Sequence, residues 1–350
     1  MNRLRISLII GALSVLLLSS CVSGLSITRQ VPAEANLHGI QMLRVEPVKE
    51  FFFLWRPVPA WVEGSSGQME LTLPSGYYST LSEDVSYAAT RTLERAIEST
   101  DHLSVTSSRA AEAVIKSEIT FMDLSERIIE RSESEGSEEK SYFLVQSAAV
   151  ALSIKVMEVS TGSILYTSNY ADKVTKEYLV GTRMFDPTSN TYKIIRRFTF
   201  TRSPSFLPLF EEILRSFERT IARQLAPSTV TEWVNLAPNR PKDAMAKEIY
   251  HLVDRGEYRL AYHRFLGLYE DTGDWRWGYN AALLLQGIGE LENAVVLMDE
   301  VYSGYPSNLV FQALSRMRDA LRDQQKAEMQ ICGECLEEFT LVTQMYTEGR

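Results

Sequence analysis

The sequence predicts an α+β fold: a mixed or antiparallel sheet packed by two helices, followed by an all-α region of helical hairpins. Two observations carry the prediction. Between residues 39 and 236 the patterning runs strand, helix, strand, long hairpin, strand, helix, an order that suits a sheet covered by segregated helices. Between residues 242 and 330 the chain repeats itself with a period of 33 residues, the mark of stacked supersecondary units. The length of 350 residues suggests about two domains, and 45% hydrophobic with 10% aromatic content is ample for packed cores.

The chain begins with Arg3 and Arg5, an apolar run from Ile6 to Leu18, two serines and Cys21. This is the layout of a secretory signal, and its run of 13 residues falls short of the roughly 20 that a spanning helix needs. Leu18-Ser19-Ser20-Cys21 resembles the bacterial lipobox. That resemblance implies that residues 1–20 are removed and that Cys21 carries a diacylglycerol and an N-acyl chain. This covalent lipid is the one cofactor-like group expected. Val22, rather than Asp, behind the cysteine implies an outer-membrane anchor with the body in the periplasm. Loss of Arg3 and Arg5 takes the net charge from -9 to -11, which argues against nucleic acid and anionic surfaces as partners. The expected partners are the membrane, through the lipid, and other envelope proteins; no small-molecule substrate is legible. Residues 21–38, small and polar with a proline, read as a flexible tether, of which the sixteen residues 22–37 reach roughly 50 Å at about 3.3 Å per residue.

The elements then follow in order. "GIQMLRVEPV", 39–48, suits a first strand, and the aromatic and proline-rich stretch 49–68 an irregular loop. Thr80 and Glu83 have capping-box spacing, and Val85, Ala89, Leu93 and Ile97 recur at four-residue steps, which predicts an amphipathic helix. "LSVTS", 103–107, reads as a short strand. Two long strands flank the charged loop "ESEGSEEK" and should pair as a hairpin. "STG", 160–162, turns the chain into "SILYTSNYADKV", and 177–205 suggests a further hairpin around "DPTSN". Leu209, Ile213, Phe217, Ile221 and Leu225 form a second helical stripe, flanked by Phe210 and Leu214 and stopped by Pro227.

"AEAVIKSEITFMDL" leading to "ALSIKVMEVSTGSILYTSNYAD", together with the lipobox and the element order, resembles the periplasmic domain of the curli-pore (CsgG-like) lipoproteins over about residues 39–236. In the C-terminal third, "RGEYRLAYHRFLGLY" aligns with "IGELENAVVLMDEVY", pairing Gly256 with Gly289, Ala261 with Ala294 and Phe265 with Met298. This is similar to the tetratricopeptide repeat (TPR). Pro306 matches that family's closing proline, whereas the first unit has Gly273 there. The resemblance implies a concave groove; with Lys242 and Trp275 as first residues of the two units, its lining would be Asp243, Tyr250, Val253, Arg276, Tyr279, Leu283 and Gln286. Residues 308–329 would cap the repeats, and 331–350 form a tail.

The usual catalytic constellations are absent: no G-x-S-x-G, H-E-x-x-H, G-x-x-x-x-G-K-[ST] or G-x-G-x-x-G occurs. No catalytic residue and no metal site is assigned. His251 and His263, on successive helices, are too far apart for a one-face metal pair. "CGEC", Cys332 to Cys335, leaves three readings: a structural disulfide, two inert thiols, or redox or metal chemistry. The resulting expectation is a lipid-anchored, non-enzymatic scaffold or adaptor. The alternatives are a curli-channel type export pore, whose strands would need an apolar outer face that Arg196 interrupts, and an enzyme with dispersed catalytic carboxylates.

Overall fold

The computed structural model describes residues 24–49, 60–62, 69–71, 77–132, 140–196, 204–239 and 242–332. In chain order the elements are β1 (Gly24–Val31), β2 (Met42–Val45), β3 (Ala60–Val62), β4 (Met69–Leu71), α1 (Tyr77–Glu98), β5 (Ser104–Val105), β6 (Ala113–Ser132), β7 (Lys140–Glu158), β8 (Ile164–Asp186), β9 (Thr191–Arg196), α2 (Leu207–Leu225), β10 (Ser228–Asn235), α3 (Ala244–Asp254), α4 (Tyr258–Thr272), α5 (Trp275–Gly287), α6 (Leu291–Gly304) and α7 (Asn308–Cys332). They form two compact units. One is built on residues 33–226, and the other joins residues 24–32 to residues 227–330.

In the α+β unit the sheet order is β5-β2-β6-β7-β8-β9. The β5, β2 and β6 pairings are parallel, and β6 through β9 are antiparallel. Strand β7 sits in the middle, and its even positions, Ala148, Val150, Leu152, Ile154 and Val156, are buried. They pack in one core with Val85, Ala89, Leu93 and Ile97 of α1 and with Leu209, Ile213, Phe217, Ile221 and Leu225 of α2. The two stripes read from four-residue spacing are therefore the faces that cover the sheet.

Several bounds differ from the sequence expectation. Helix α1 starts at Tyr77, one turn ahead of the Thr80 capping box, and the first strand is only Met42–Val45. Within the stretch expected to be an irregular loop lies β3, which pairs antiparallel with β4 just beyond that stretch. Strand β8 does not stop near Val174 but runs on to Asp186, so the hairpin expected around "DPTSN" is its far end turning into β9. That turn is held by the Asp186 carboxylate, which accepts from Thr188 N at 2.9 Å and Ser189 Oγ at 2.9 Å. Asn190 there adopts a φ of 49°, a left-handed conformation that asparagine tolerates.

The second unit corrects the tether. Residues 24–31 form a strand that pairs antiparallel with β10 along its whole length, from Gly24↔Asn235 to Val31↔Ser228. Leu25 and Ile27 are buried in the core of the helices, and beyond the strand Ala35 and Leu37 are buried in the core of the α+β unit. The apolar residues alternate with polar ones in "LSITR", the pattern of a strand buried on one face. Its partner lies 203 residues away, so no local signal announced the pairing. Arg29 pins the ribbon by donating to Glu232 at 2.7 Å and to Asp323 of α7 at 3.0 Å.

The 33-residue repeat is written in the backbone. Gly256 and Gly289 both take positive φ, 77° and 86°. Gly256 N donates to Val253 O at 2.9 Å and Glu257 N to Leu252 O at 2.9 Å; in the next hairpin Gly289 N donates to Gln286 O at 3.2 Å and Glu290 N to Leu285 O at 2.9 Å. These are two copies of one Schellman cap, which needs a residue without Cβ at the left-handed position. Gly273, standing where the first hairpin lacks a proline, has a φ of 66° and closes α4. Gly278 lets α5 approach its neighbours: an added Cβ would lie 2.5 Å from Val301 and 3.0 Å from Tyr269.

Candidate functional site

The groove residues expected from the repeat lie together on α3 and α5, but their surface is already taken. Val253, Tyr279, Leu283 and Gln286 are buried, the first three in the same core as Leu25 and Ile27 of β1, Val234 of β10 and Leu236 and Ala237 just beyond it. Leu25 presses on α5 so closely that a Cβ at Gly287 would lie 2.5 Å from its Cδ1. The groove is thus filled by the chain's own ribbon, which corrects the expectation of an open lining.

The remaining lining residues serve internal roles. Asp243 caps α3, its carboxylate accepting from Met245 N at 2.8 Å and Ala246 N at 3.0 Å. Arg276 is forked onto Asp274, donating from Nε at 3.0 Å, and lies 4.7 Å over the Trp277 ring. The Arg276 guanidinium holds the Asp274 carboxyl below its ordinary range. Tyr250 donates its hydroxyl to Ala237 O and accepts from Asn280 Nδ2 at 2.9 Å.

Asn280 is the residue that sequence reasoning missed. It is fully buried, accepts from Ala237 N at 2.7 Å and donates to Ala237 O at 3.3 Å. One side-chain amide therefore satisfies both backbone groups of the ribbon's exit and the Tyr250 hydroxyl. The signal was available as a lone amide within the apolar run "WGYNAALLL". Burial pushes the Tyr250 phenol from its ordinary value near 10 up to about 12. Folding raises this pKa, so the contribution is complete below pH 10 and is lost as pH climbs through 10 toward about 12, roughly 2–3 kcal/mol for a shift of that size. Unfolding free energies measured from pH 9 to 12 should fall more steeply for the wild type than for Tyr250→Phe; parallel curves would refute the assignment.

Cys21 and Cys335 lie outside the described residues. Cys332 is exposed at the C-terminal end of α7. Among the described residues no group of three or more His, Cys, Asp and Glu is placed to hold a metal ion, and no helix is long and apolar enough to cross a membrane.

A second surface comes from the sheet. The face of β6–β7–β8 opposite the helices carries small side chains on its central strand, Ser147, Ala149, Ala151 and Ser153, all partly exposed. A β-bulge between Ile119 and Phe121 interrupts the β6–β7 register. Ile119 and Met122 on either side are buried, whereas Thr120 and Phe121 are both exposed, so the bulge re-aims the ring outward. Phe121 is 50% exposed and paired with Ala151, which is in turn paired with Ala171 of β8.

No protein-family model and no curated protein matches the chain. Among solved structures it is similar to a PelC dodecamer from Paraburkholderia phytofirmans, with 10% identity over 57% of this chain and 98% of that one and a TM-score of 0.23. A protein from Xanthomonas campestris gives 10% identity over 53% and 82%, with a TM-score of 0.24. A minor lipoprotein from Acinetobacter baumannii gives 10% identity over 53% and 91%, with a TM-score of 0.21. Likenesses at these scores carry no argument about what this chain does.

Proposed function

We propose that the chain is a lipid-anchored, non-enzymatic adaptor of the bacterial envelope, held in the outer membrane through Cys21 with its body in the periplasm. The signal layout and Leu18-Ser19-Ser20-Cys21 support the anchor, and the resemblances to curli-pore lipoproteins and tetratricopeptide repeats belong to the same reading. The observation that carries the adaptor role is Phe121, turned outward by a bulge beside Ala151 and Ala171 on a sheet face that no helix covers among the described residues. A ring seated beside small side chains is the kind of anchor around which protein interfaces form. With the helical groove filled by the ribbon, the partner site moves from the groove to this face. The pore alternative gains nothing there, because Lys116, Glu118, Asp123, Arg127 and Arg131 of β6 are all exposed, a charged face that is costly against lipid.

A photo-crosslinking residue placed at position 121 of the full lipidated protein should give a discrete adduct with another envelope protein, absent when the probe is at Val296, which is also exposed. Phe121→Ala should weaken capture of that partner about tenfold. Identical adduct patterns from the two positions, or an adduct with the mass of a second copy of the chain, would remove the adaptor reading.

A further inference from the structure

We propose that the outer face of the β1–β10 ribbon lies against the bilayer surface, with Trp233 seated among the lipid headgroups. The inference rests on the anchoring of Cys21 and specifies what that anchor does to the body. Only Val22 and Ser23 separate Cys21 from Gly24, the first residue of β1. Three chain steps reach at most about 11 Å. The interfacial layer on each side of the hydrocarbon is itself roughly 5–8 Å thick. The start of the ribbon is therefore confined to the neighbourhood of the headgroups.

What sits at that start fits the location. The Trp233 indole lies across Gly24, with Nε1 only 2.6 Å from where a Cβ on Gly24 would be. Gly24 is thus the residue that lets the ring cover the strand's first position. The ring is nevertheless 68% exposed, unlike Trp277, which is buried in the helical core. An exposed indole, with an apolar body and one N–H, is the side chain most at home at a membrane–water interface.

The ribbon also sorts its charges away from this face. Alternation and the register Ser26↔Trp233, Thr28↔Thr231 and Gly24↔Asn235 put Ser26, Thr28, Thr231, Trp233 and Asn235 on one side, all exposed and none charged. The charged side chains of the ribbon, Arg29 and Glu232, pair with each other at 2.7 Å on the other side, where Arg29 also meets Asp323. A strand pair facing water places its charges outward. This one leaves outward only hydroxyls, an amide and an indole, a surface that approaches headgroups without the repulsion that net negative charge on the body would create. The contact also supplies a binding contribution besides the acyl chains, which favours one orientation of the body over free rotation about the anchor.

The test uses full-length protein purified from envelopes and reconstituted into phosphatidylethanolamine–phosphatidylglycerol vesicles, with or without brominated acyl chains. Trp233 is one of five tryptophans. Bromolipid should therefore quench the wild type by roughly a fifth of total emission more than it quenches Trp233→Phe, the excess being the interfacial indole. Equal quenching of the two proteins, with Cys21 shown by the mass of the N-terminal peptide to be acylated, overturns the docking and leaves the anchor intact. An unmodified Cys21 overturns the anchor reading and the docking with it. A Trp233 signal indifferent to bromolipid, yet shielded from iodide once envelope proteins are added, assigns the face to a protein partner and likewise overturns the proposal.

Discussion

Replacement of Asn280 by alanine is expected to lower the unfolding free energy of the helical unit by about 3 kcal/mol. The side chain is fully buried and answers three polar groups at once: Ala237 N, Ala237 O and the Tyr250 hydroxyl. Removing it leaves the Ala237 N–H in the core without its acceptor, a penalty of about 1–3 kcal/mol, and adds the loss of two further hydrogen bonds. The Tyr250 hydroxyl still donates to Ala237 O, which caps the damage. Denaturant unfolding followed by tryptophan emission reports on it directly, because Trp277 lies in the same core. A change below about 0.5 kcal/mol, the ordinary size for a surface substitution, would mean that the amide does not secure the ribbon's exit.

Leu25→Ala should cost a comparable amount, about 3 kcal/mol within the range found for buried leucines. Leu25 is fully buried, and the residue it faces, Gly287, has no side chain with which to fill the space. The two positions therefore offer a paired test. In the wild type a Cβ at 287 would collide with Leu25 Cδ1 at 2.5 Å, so Gly287→Ala alone should push the strand outward. In the Leu25→Ala background the same methyl enters the vacated space, and removing a helical glycine adds up to about 1 kcal/mol. The double variant should therefore be more stable than Leu25→Ala alone. Simple additivity of the two single changes would show that the ribbon does not rest on α5.

The sequence made legible whatever is periodic and local. The stripes Val85–Ala89–Leu93–Ile97 and Leu209–Ile213–Phe217–Ile221–Leu225 identify both helices and the faces they bury, because a four-residue step keeps a side chain on one side of a helix. The β6–β7 hairpin was visible as two apolar-alternating runs around an acidic loop. The glycines at 256 and 289 marked the repeat because a left-handed cap tolerates little else. What stayed hidden was non-local. Nothing near "GLSITRQV" names its partner strand some 200 residues later, so a buried strand looked like a polar tether. Without that strand the repeat alone leaves the groove residues open, whereas Val253, Tyr279 and Leu283 are buried in one core with Leu25 and Ile27, and Gln286 is buried too. The bulge that exposes Phe121 was illegible for a related reason. It is a mismatch between two strands, and an alternation count on one strand cannot show it.

The pairing of Val31 with Ser228 has a consequence in time. The chain leaves the ribbon, builds the whole α+β unit, and returns to the point from which it left. Ala35 N meets Gln224 O at 2.8 Å where that unit begins and ends, so it can close as soon as its own last helix is made. Strand β1, the first to be synthesised, must wait for β10. At ordinary rates of about 5–20 residues per second the interval is roughly 10–40 seconds. Through it Leu25 and Ile27 have no cover and the strand edge no neighbour, the kind of segment that escorts recognise and that aggregates if left alone. The α+β unit thus needs nothing beyond its own last helix, whereas the ribbon can close only once residues 228–235 are present.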